Sequence, residues 1–287
     1  MSDHAIVVEN LKHRYGNLTA VDGISFRVAR QEILGFLGPN GAGKSTTVQV
    51  ITGQLRLQEG KVAVLGIDIT KNIKTVQAKI GICFEQPNLY EQMTAAENLE
   101  LFARLFNVKD FNSNTLLKKV GLEGREKDKV SNYSKGMKQR LMVARSMVSQ
   151  PDILFLDEPT SGLDPVSADS IRQLILKERD RGATIFLTTH DMWEADKLCD
   201  RVAFLNQGKI AALDTPDTLK QRYGQRTMLL EIVSNSRLEP RTITLDQPNT
   251  PQLIQELFTK EKVVTAHSQE ATLEDIFLKI TGRRLTE

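Results

Sequence analysis

Gly38-Pro39-Asn40-Gly41-Ala42-Gly43-Lys44-Ser45 fits G-x-x-x-x-G-K-[ST], and the chemistry of that spacing is the cradling of phosphate. Glycine lets backbone N–H groups turn inward and approach phosphate oxygens with no Cβ in the way. Lys44 brings an ammonium to the β and γ phosphates, and the Ser45 hydroxyl is a ligand for a Mg²⁺ ion that bridges them. The flanking residues supply the strand–loop–helix context that the pattern requires. Glu32-Ile33-Leu34-Gly35-Phe36-Leu37 is short, apolar and strand-like. Thr46-Thr47-Val48-Gln49-Val50-Ile51 starts a helix whose N-terminal dipole faces the phosphates. A chance glycine-rich turn would lack both flanks.

The 287 residues allow one large domain, or one domain with an appendage. An apolar fraction of 40% and a charged fraction of 26% are ordinary for a globular chain. The 38 basic and 36 acidic residues leave a net charge of +2. That balance creates no strong field toward nucleic acid or membrane, and no nucleic-acid partner is expected. Cys83 and Cys199 lie far apart without metal-ligand spacing, which reads as inert thiols in a reducing compartment. No apolar run approaches the ~18 residues of a bilayer span. Met1-Ser2-Asp3-His4 has neither the basic region nor the long apolar run of a secretory signal. The expectation is a cytosolic chain, held at any membrane by another chain.

Along the sequence, Ala5–Val8, Ile24–Val28, Ile33–Leu37, Val62–Leu65 and Ile80–Phe84 read as short strands separated by turn residues. From about 88 to 149 the pattern becomes helical. Ala95–Phe106 carries apolar residues at helical spacing, and Thr94 with Glu97 three residues on forms a capping box. Leu116–Val120 and Gly136–Val148 also read as helix. Buried parallel-sheet strands resume at Ile153–Leu156, Thr184–Leu187 and Val202–Leu205, with helices at Ser167–Arg179 and Met192–Leu198. Beyond Tyr223-Gly224 the pattern breaks, which sets a domain boundary between 1–222 and 223–287. The second stretch carries strands near Met228–Val233 and Val263–His267 and helices near Gln252–Thr259 and Leu273–Thr281.

Asp157-Glu158 closes the strand Ile153-Leu154-Phe155-Leu156. In α/β sheets, ligands bind beyond the carboxyl ends of the strands. Asp157 is therefore placed to hold Mg²⁺ or its water, and Glu158 to orient and deprotonate an attacking water. In isolation the pair would read equally well as a solvated strand end; the phosphate-cradling loop decides between the two.

The order of motifs resembles the nucleotide-binding subunit of an ATP-binding cassette (ABC) transporter over residues 5–222. The carriers are the P-loop, Gln86 after a strand, Tyr133-Ser134-Lys135-Gly136-Met137, Asp157-Glu158, Ser161-Gly162-Leu163-Asp164 and His190 after a strand. The resemblance implies an α/β fold: a P-loop NTPase of ABC type with a mixed β core, an α-helical insert and a small C-terminal α/β appendage. It implies that Tyr15 stacks on adenine, though an exposed ring near a turn is common. Gly38, Pro39, Asn40, Gly41, Ala42, Gly43, Lys44, Ser45 and Thr46 would hold the phosphates. Gln86 would reach Mg²⁺ and the attacking water alongside Ser45 and Asp157. Ser134 and Gly136 would engage the γ-phosphate of ATP bound to another subunit, and Asp164 would lie at the dimer seam. Outside this context Asp164 reads as an acid preceding a helix that begins at Pro165. His190 would contact the γ-phosphate and hold Glu158 in place; by itself a lone histidine is usually structural.

The signature loop departs from the family's usual Leu-Ser-Gly-Gly-Gln, with Tyr133, Lys135 and Met137 at the first, third and fifth positions. Ser134 and Gly136, which carry the phosphate roles, remain. This variant and the tail Leu273-Glu274-Asp275-Ile276-Phe277-Leu278-Lys279-Ile280-Thr281-Gly282 resemble the single-domain ATPases of the ABC-2-type exporter group. The implied activity is ATP hydrolysis, with ATP and Mg²⁺ as cofactors, coupled to transport through ATP-driven dimerisation. The implied partners are an integral membrane permease and a second nucleotide-binding subunit, in the simplest case another copy of this chain. The implied location is the cytoplasmic face of the cell membrane, as a peripheral subunit. Ribosome-associated ABC ATPases usually carry two cassettes and basic linkers. Chromosome-structuring ATPases need a long coiled coil between the P-loop and Asp157. Kinases and small GTPases have no need of Ser134, Asp164 and His190 in this order.

Overall fold

The computed structural model describes residues 4–86, 88–234 and 237–283. The outermost residues of the two expected domains, 1–3 and 284–287, lie outside the described residues. The chain divides into two compact units, one ending at Leu213 and the other starting at Asp214.

In the first unit, β1 (His4–Tyr15) and β2 (Leu18–Ala29) form an antiparallel hairpin. Strand β3 (Ile33–Leu37) leads into α1 (Lys44–Ile51). Then come β4 (Glu59–Val64), β5 (Ile67–Asp68), α2 (Ile69–Gln77) and β6 (Ile80–Cys83). The helical block contains α3 (Ala95–Leu105), α4 (Ser113–Lys119), a 3₁₀ turn at Val130–Asn132 and α5 (Lys135–Ser146). It is followed by β7 (Ile153–Asp157), α6 (Pro165–Asp180), β8 (Thr184–Thr189), α7 (Met192–Leu198), β9 (Arg201–Asn206) and β10 (Lys209–Asp214).

Two sheets result. An antiparallel one has the order β2-β1-β4-β5, and a six-stranded one has the order β10-β9-β3-β8-β7-β6, parallel from β9 through β6. Ile33–Leu37 and Thr184–Thr189 are buried along their whole length, as expected of a parallel sheet covered on both faces. The apolar core joins the two sheets: Phe26, from the antiparallel sheet, lies 5.4 Å from Phe36 and 6.0 Å from Phe186, and Phe186 lies 5.5 Å from Phe155. These tilted aromatic contacts add about 0.5–1.5 kcal/mol each to the burial of their area.

In the helical block, Thr94 caps α3. Its hydroxyl accepts from Glu97 N, and Glu97 returns a bond to Thr94 N. The orphan donors of the first turn are satisfied, so the helix begins where the capping box predicts.

The second unit contains α8 (Pro216–Tyr223), β11 (Thr227–Ser234), β12 (Arg237–Thr244), α9 (Thr250–Lys260), β13 (Lys262–Gln269) and α10 (Leu273–Thr281). Its sheet is antiparallel in the order β12-β11-β13. Leu230, Ile232, Ile243 and Leu257 form its small core. The sequence boundary at 222/223 is corrected to 213/214. The physical reason is α8, which packs against α10 and whose Tyr223 carbonyl accepts a 2.8 Å bond from Lys279 Nζ. No helix of the described residues is long and apolar enough to cross a membrane.

Truncating Phe186 to alanine should cost about 3–5 kcal/mol. It would appear as a lower urea midpoint for the transition that reports on the first unit.

Candidate functional site

Strand β3 stops at Leu37, and the backbone wraps over its end before α1 begins. Two glycines permit that path. A Cβ on Gly38 would sit 2.4 Å from the Leu205 carbonyl oxygen, and one on Gly43 would sit 2.4 Å from that of Ala20, at a backbone φ of +104°. Lys44 folds back beneath the loop, where its ammonium donates to Gly38 O at 2.6 Å and Pro39 O at 3.2 Å. Burial pulls the Lys44 pKa down, against the raising influence of Glu158, Asp157 and Glu85. Helix α1 has no side-chain cap. The N–H groups of a first helical turn lack intrahelical partners, so a phosphate group fits as their acceptor.

The carboxyl ends of β7 and β8 bring the acids to the same corner. The Ser45 hydroxyl lies 3.3 Å from Asp157 Oδ2, and Thr188 Oγ1 donates to Asp157 Oδ1. Glu158 leaves the strand at φ +52°, a left-handed conformation that costs a non-glycine residue about 1–2 kcal/mol. Two bonds hold it there: Glu158 N donates to Thr188 O at 3.0 Å, and Gln139 Nε2 donates to Glu158 O at 3.3 Å. The twist aims the carboxylate at His190, whose Nδ1 lies 2.8 Å from Glu158 Oε2. Burial raises the Glu158 pKa; His190 and Lys44 oppose that shift, and Asp157 adds to it.

Lys44, Ser45, Asp157, Glu158 and His190 thus form one cluster. Thr46, partly buried, follows in the first turn of α1, while Pro39, Asn40 and Gly41 lie on the more open side of the loop and Ala42 is buried beneath it. Gln86 stands on an exposed bend after β6 and makes no hydrogen bond to Ser45, Asp157 or Glu158. Tyr15 is 45% exposed at the tip of the β1–β2 hairpin, edge-on to His13 at 4.8 Å.

The signature loop and the Asp164 loop pack on each other. Ser134 caps α5 by accepting from Met137 N at 3.2 Å. A Cβ on Gly136 would meet Leu163 at 3.2 Å, and one on Gly162 would meet Lys135 at 3.4 Å. Tyr133, where the family usually has leucine, is buried and donates to the Arg125 carbonyl at 2.7 Å. Burial pushes its phenol up to about 12. Asp164 accepts from Ser167 N at 2.9 Å as the cap of α6, and hydrogen bonding from Ser167, its side chain first and its backbone second, holds the carboxyl below the usual range.

Sequence reasoning missed Thr188 and Gln139. The signal for Thr188 was a polar pair, Thr188-Thr189, following the apolar run Ile185-Phe186-Leu187 in a buried strand just before His190. Gln139 offered none, because its role depends on α5 packing against the strand ends.

Among the described residues, no group of three or more His, Cys, Asp or Glu converges as a metal cage. Ser45 and Asp157 instead present two hard oxygens beside the phosphate cradle. That set fits Mg²⁺, which usually takes one or two protein ligands and completes its octahedron with waters and phosphate.

The family model described as ABC transporter matches residues 21–161. Over 284 residues the chain is 43% identical to a fluoroquinolones export ATP-binding protein of Mycobacterium tuberculosis (strain ATCC 25618 / H37Rv), spanning 98% of this chain and 94% of that protein. Among solved structures, an ATP binding subunit of an ABC transporter superposes with a TM-score of 0.71 at 29% identity, over 76% of this chain and 93% of that one. A dimeric ATP-binding cassette in a post-hydrolysis state, bound to ADP and Pi, superposes with a TM-score of 0.68 at 26% identity, over 73% and 98% of the two chains.

Gly43→Ala should weaken ATP binding by roughly tenfold or more, since the loop must shift by enough to misplace the phosphate donors. Titration with a fluorescent ATP analogue checks this.

Proposed function

The chain belongs to the ABC transporter family as an ATP-binding, ATP-hydrolysing subunit, and from that premise we propose that it drives an exporter. The observation that carries the catalytic assignment is the 2.8 Å pairing of a buried Glu158 with His190 beside Lys44. Glu158 acts as the base: its carboxylate takes a proton from the water that attacks the γ-phosphorus. His190 orients that carboxylate through Nδ1. Lys44 and the first-turn amides of α1 bind the phosphate oxygens and stabilise charge as it moves to the leaving oxygen. Ser45 and Asp157, together with Gln86, would hold Mg²⁺. The chemistry such an ion would supply there is neutralisation of phosphate charge. Tyr15 covers the adenine face, and the remaining loop residues from Gly38 to Thr46 shape the phosphate cradle.

Within one chain the signature loop makes no hydrogen bond to the P-loop. Ser134 and Gly136 are therefore assigned to the nucleotide held by a second copy, with Asp164 at the seam. The dimeric cassette among the solved relatives supports that arrangement. Nucleotide closes the pair because it binds both copies only when they are together.

The membrane partner is a permease, which places the chain at the cytoplasmic face of the membrane. Asn88–Glu97, the segment that follows Gln86, is assigned as its docking region. A neighbouring cavity of about 630 Å³ extends the candidate surface, lined by Asn88 together with Phe84, Phe102, Leu105, Phe106 and Arg145. Arg145 donates to Asn88 O at 2.7 Å and stacks on Phe102 at 4.7 Å, which links the segment after Gln86 to α3 and α5. The exporter reading draws support from the name of the 43% identical relative.

Glu158→Gln should bind ATP normally, hydrolyse it roughly 100-fold or more slowly, and shift on ATP addition from the 32.2 kDa monomer to a dimer in light scattering. Turnover at the wild-type rate would remove Glu158 as the base.

Leu105→Glu changes a residue that is 64% exposed. It should abolish co-purification of a polytopic membrane protein from detergent extracts while leaving soluble ATP hydrolysis unchanged. Retained co-purification would move the docking surface elsewhere.

A further inference from the structure

Glu194 is an ionisable side chain that the reading above does not use. It lies in the first turn of α7, four residues beyond His190, with 0% exposure. Its Oε1 accepts a 2.8 Å bond from Thr160 Oγ1, and Thr160 stands two residues beyond Glu158. Arg172 of α6 brings its Nε to 3.5 Å from the same oxygen, lays its guanidinium over the Trp193 ring at 4.9 Å and reaches Asp169 at 3.6 Å. Burial raises the Glu194 carboxyl, against hydrogen bonding from Thr160 and Thr189 and the pull of Arg172.

The chain between His190 and Glu194 is stiff. Asp191 N donates to Thr189 Oγ1 at 3.0 Å, and Asp191 Oδ1 accepts from Trp193 N at 2.9 Å and Glu194 N at 3.1 Å. A displacement of Glu194 is therefore passed to His190. Thr160 in turn follows Glu158 by a single intervening proline, Pro159. Taking a carboxylate out of water to pair it with a cation is weak as a source of stability and is better understood as fixing one arrangement.

We propose that Glu194 is a positioning residue for hydrolysis: by holding Thr160 against α7 it sets the separation of Glu158 and His190. Arg172 keeps the Glu194 carboxylate in place. The proposal rests on Glu158 being the base.

The test is steady-state ATP hydrolysis by the full chain. Thr160→Val removes one hydroxyl at a partly exposed position and keeps the shape; Glu194→Ala removes the carboxylate. Each should lower kcat roughly tenfold while KM for ATP stays within about twofold, because the P-loop is untouched. In a His190→Ala background the same substitutions should add less than about twofold, since the geometry they protect is already lost. An unchanged kcat in Thr160→Val overturns the proposal, as does a loss that multiplies fully with His190→Ala or that falls on KM. Should Glu194→Ala not fold, Thr160→Val decides alone. Glu158→Gln, assayed in parallel, separates the two readings: its wild-type turnover would reject the base assignment whatever Thr160→Val does.

Discussion

The parallel register of β3, β8 and β7 is the constraint on which the site depends. Leu37 pairs with Thr189, and Asp157 pairs with Thr188. The P-loop exit, the acid pair and His190 therefore leave the sheet along one edge. A slip of one residue in β7 would turn Asp157 to the opposite face and break its bonds to Ser45 and Thr188. Burial on both faces prevents the slip: Phe155 and Phe186 lock the two strands from within, and Gly81 admits the Ser146 backbone so closely that a Cβ would lie 1.9 Å from its carbonyl oxygen. The geometry of this corner is thus a consequence of packing several residues away from it.

That corner concentrates charge where water is scarce. Lys44 lowers the Glu158 pKa and Glu158 raises that of Lys44, yet burial outweighs both, so the lysine is shifted down and the glutamate up. Each group holds its charged form less firmly than it would in water. For Glu158 this raises its proton affinity, the property that the proposed role as base needs. The bonds from Thr188 and Gln139 hold its left-handed backbone in place.

Elements that carry an unbroken apolar run or a helical pattern were legible in the sequence. Strand β3, helix α7 and helix α10 fall on their expected bounds. Elements whose pattern is interrupted were not. Strand β1 continues to Tyr15 through several register shifts and a positive φ at Asn10, which breaks its alternation after Val8. Helix α2 contains the non-helical Asn72. Strand β12 is an exposed edge carrying Pro240, as edge strands tolerate, so little in it reads as strand. Helix α8 buries only Pro216 and Leu219, too small a face to signal that it belongs to the second unit. At the site, residues within the motifs were legible because their spacing forms a pattern. Thr188, Gln139 and Glu194 were not, because each meets its partner, Asp157, Glu158 or Thr160, only through tertiary packing.

The signature loop shows how one residue can serve the fold and a ligand together. A serine hydroxyl has one donor hydrogen and two acceptor lone pairs. Capping α5 uses Ser134 Oγ only as an acceptor, from Met137 N, which leaves the hydrogen free for a phosphate oxygen at the positive end of the helix. No cap has to be broken for the proposed contact across the dimer. Asp164 is different. Its ionised carboxylate can only accept, and Ser167 N already occupies Oδ1. Oδ2 has capacity only for a donor, so a role at the seam requires the facing copy to present an N–H or hydroxyl group there. Serine at one helix N-terminus and aspartate at the other are thus not interchangeable: the hydroxyl can donate to a phosphate oxygen, and the ionised carboxylate cannot.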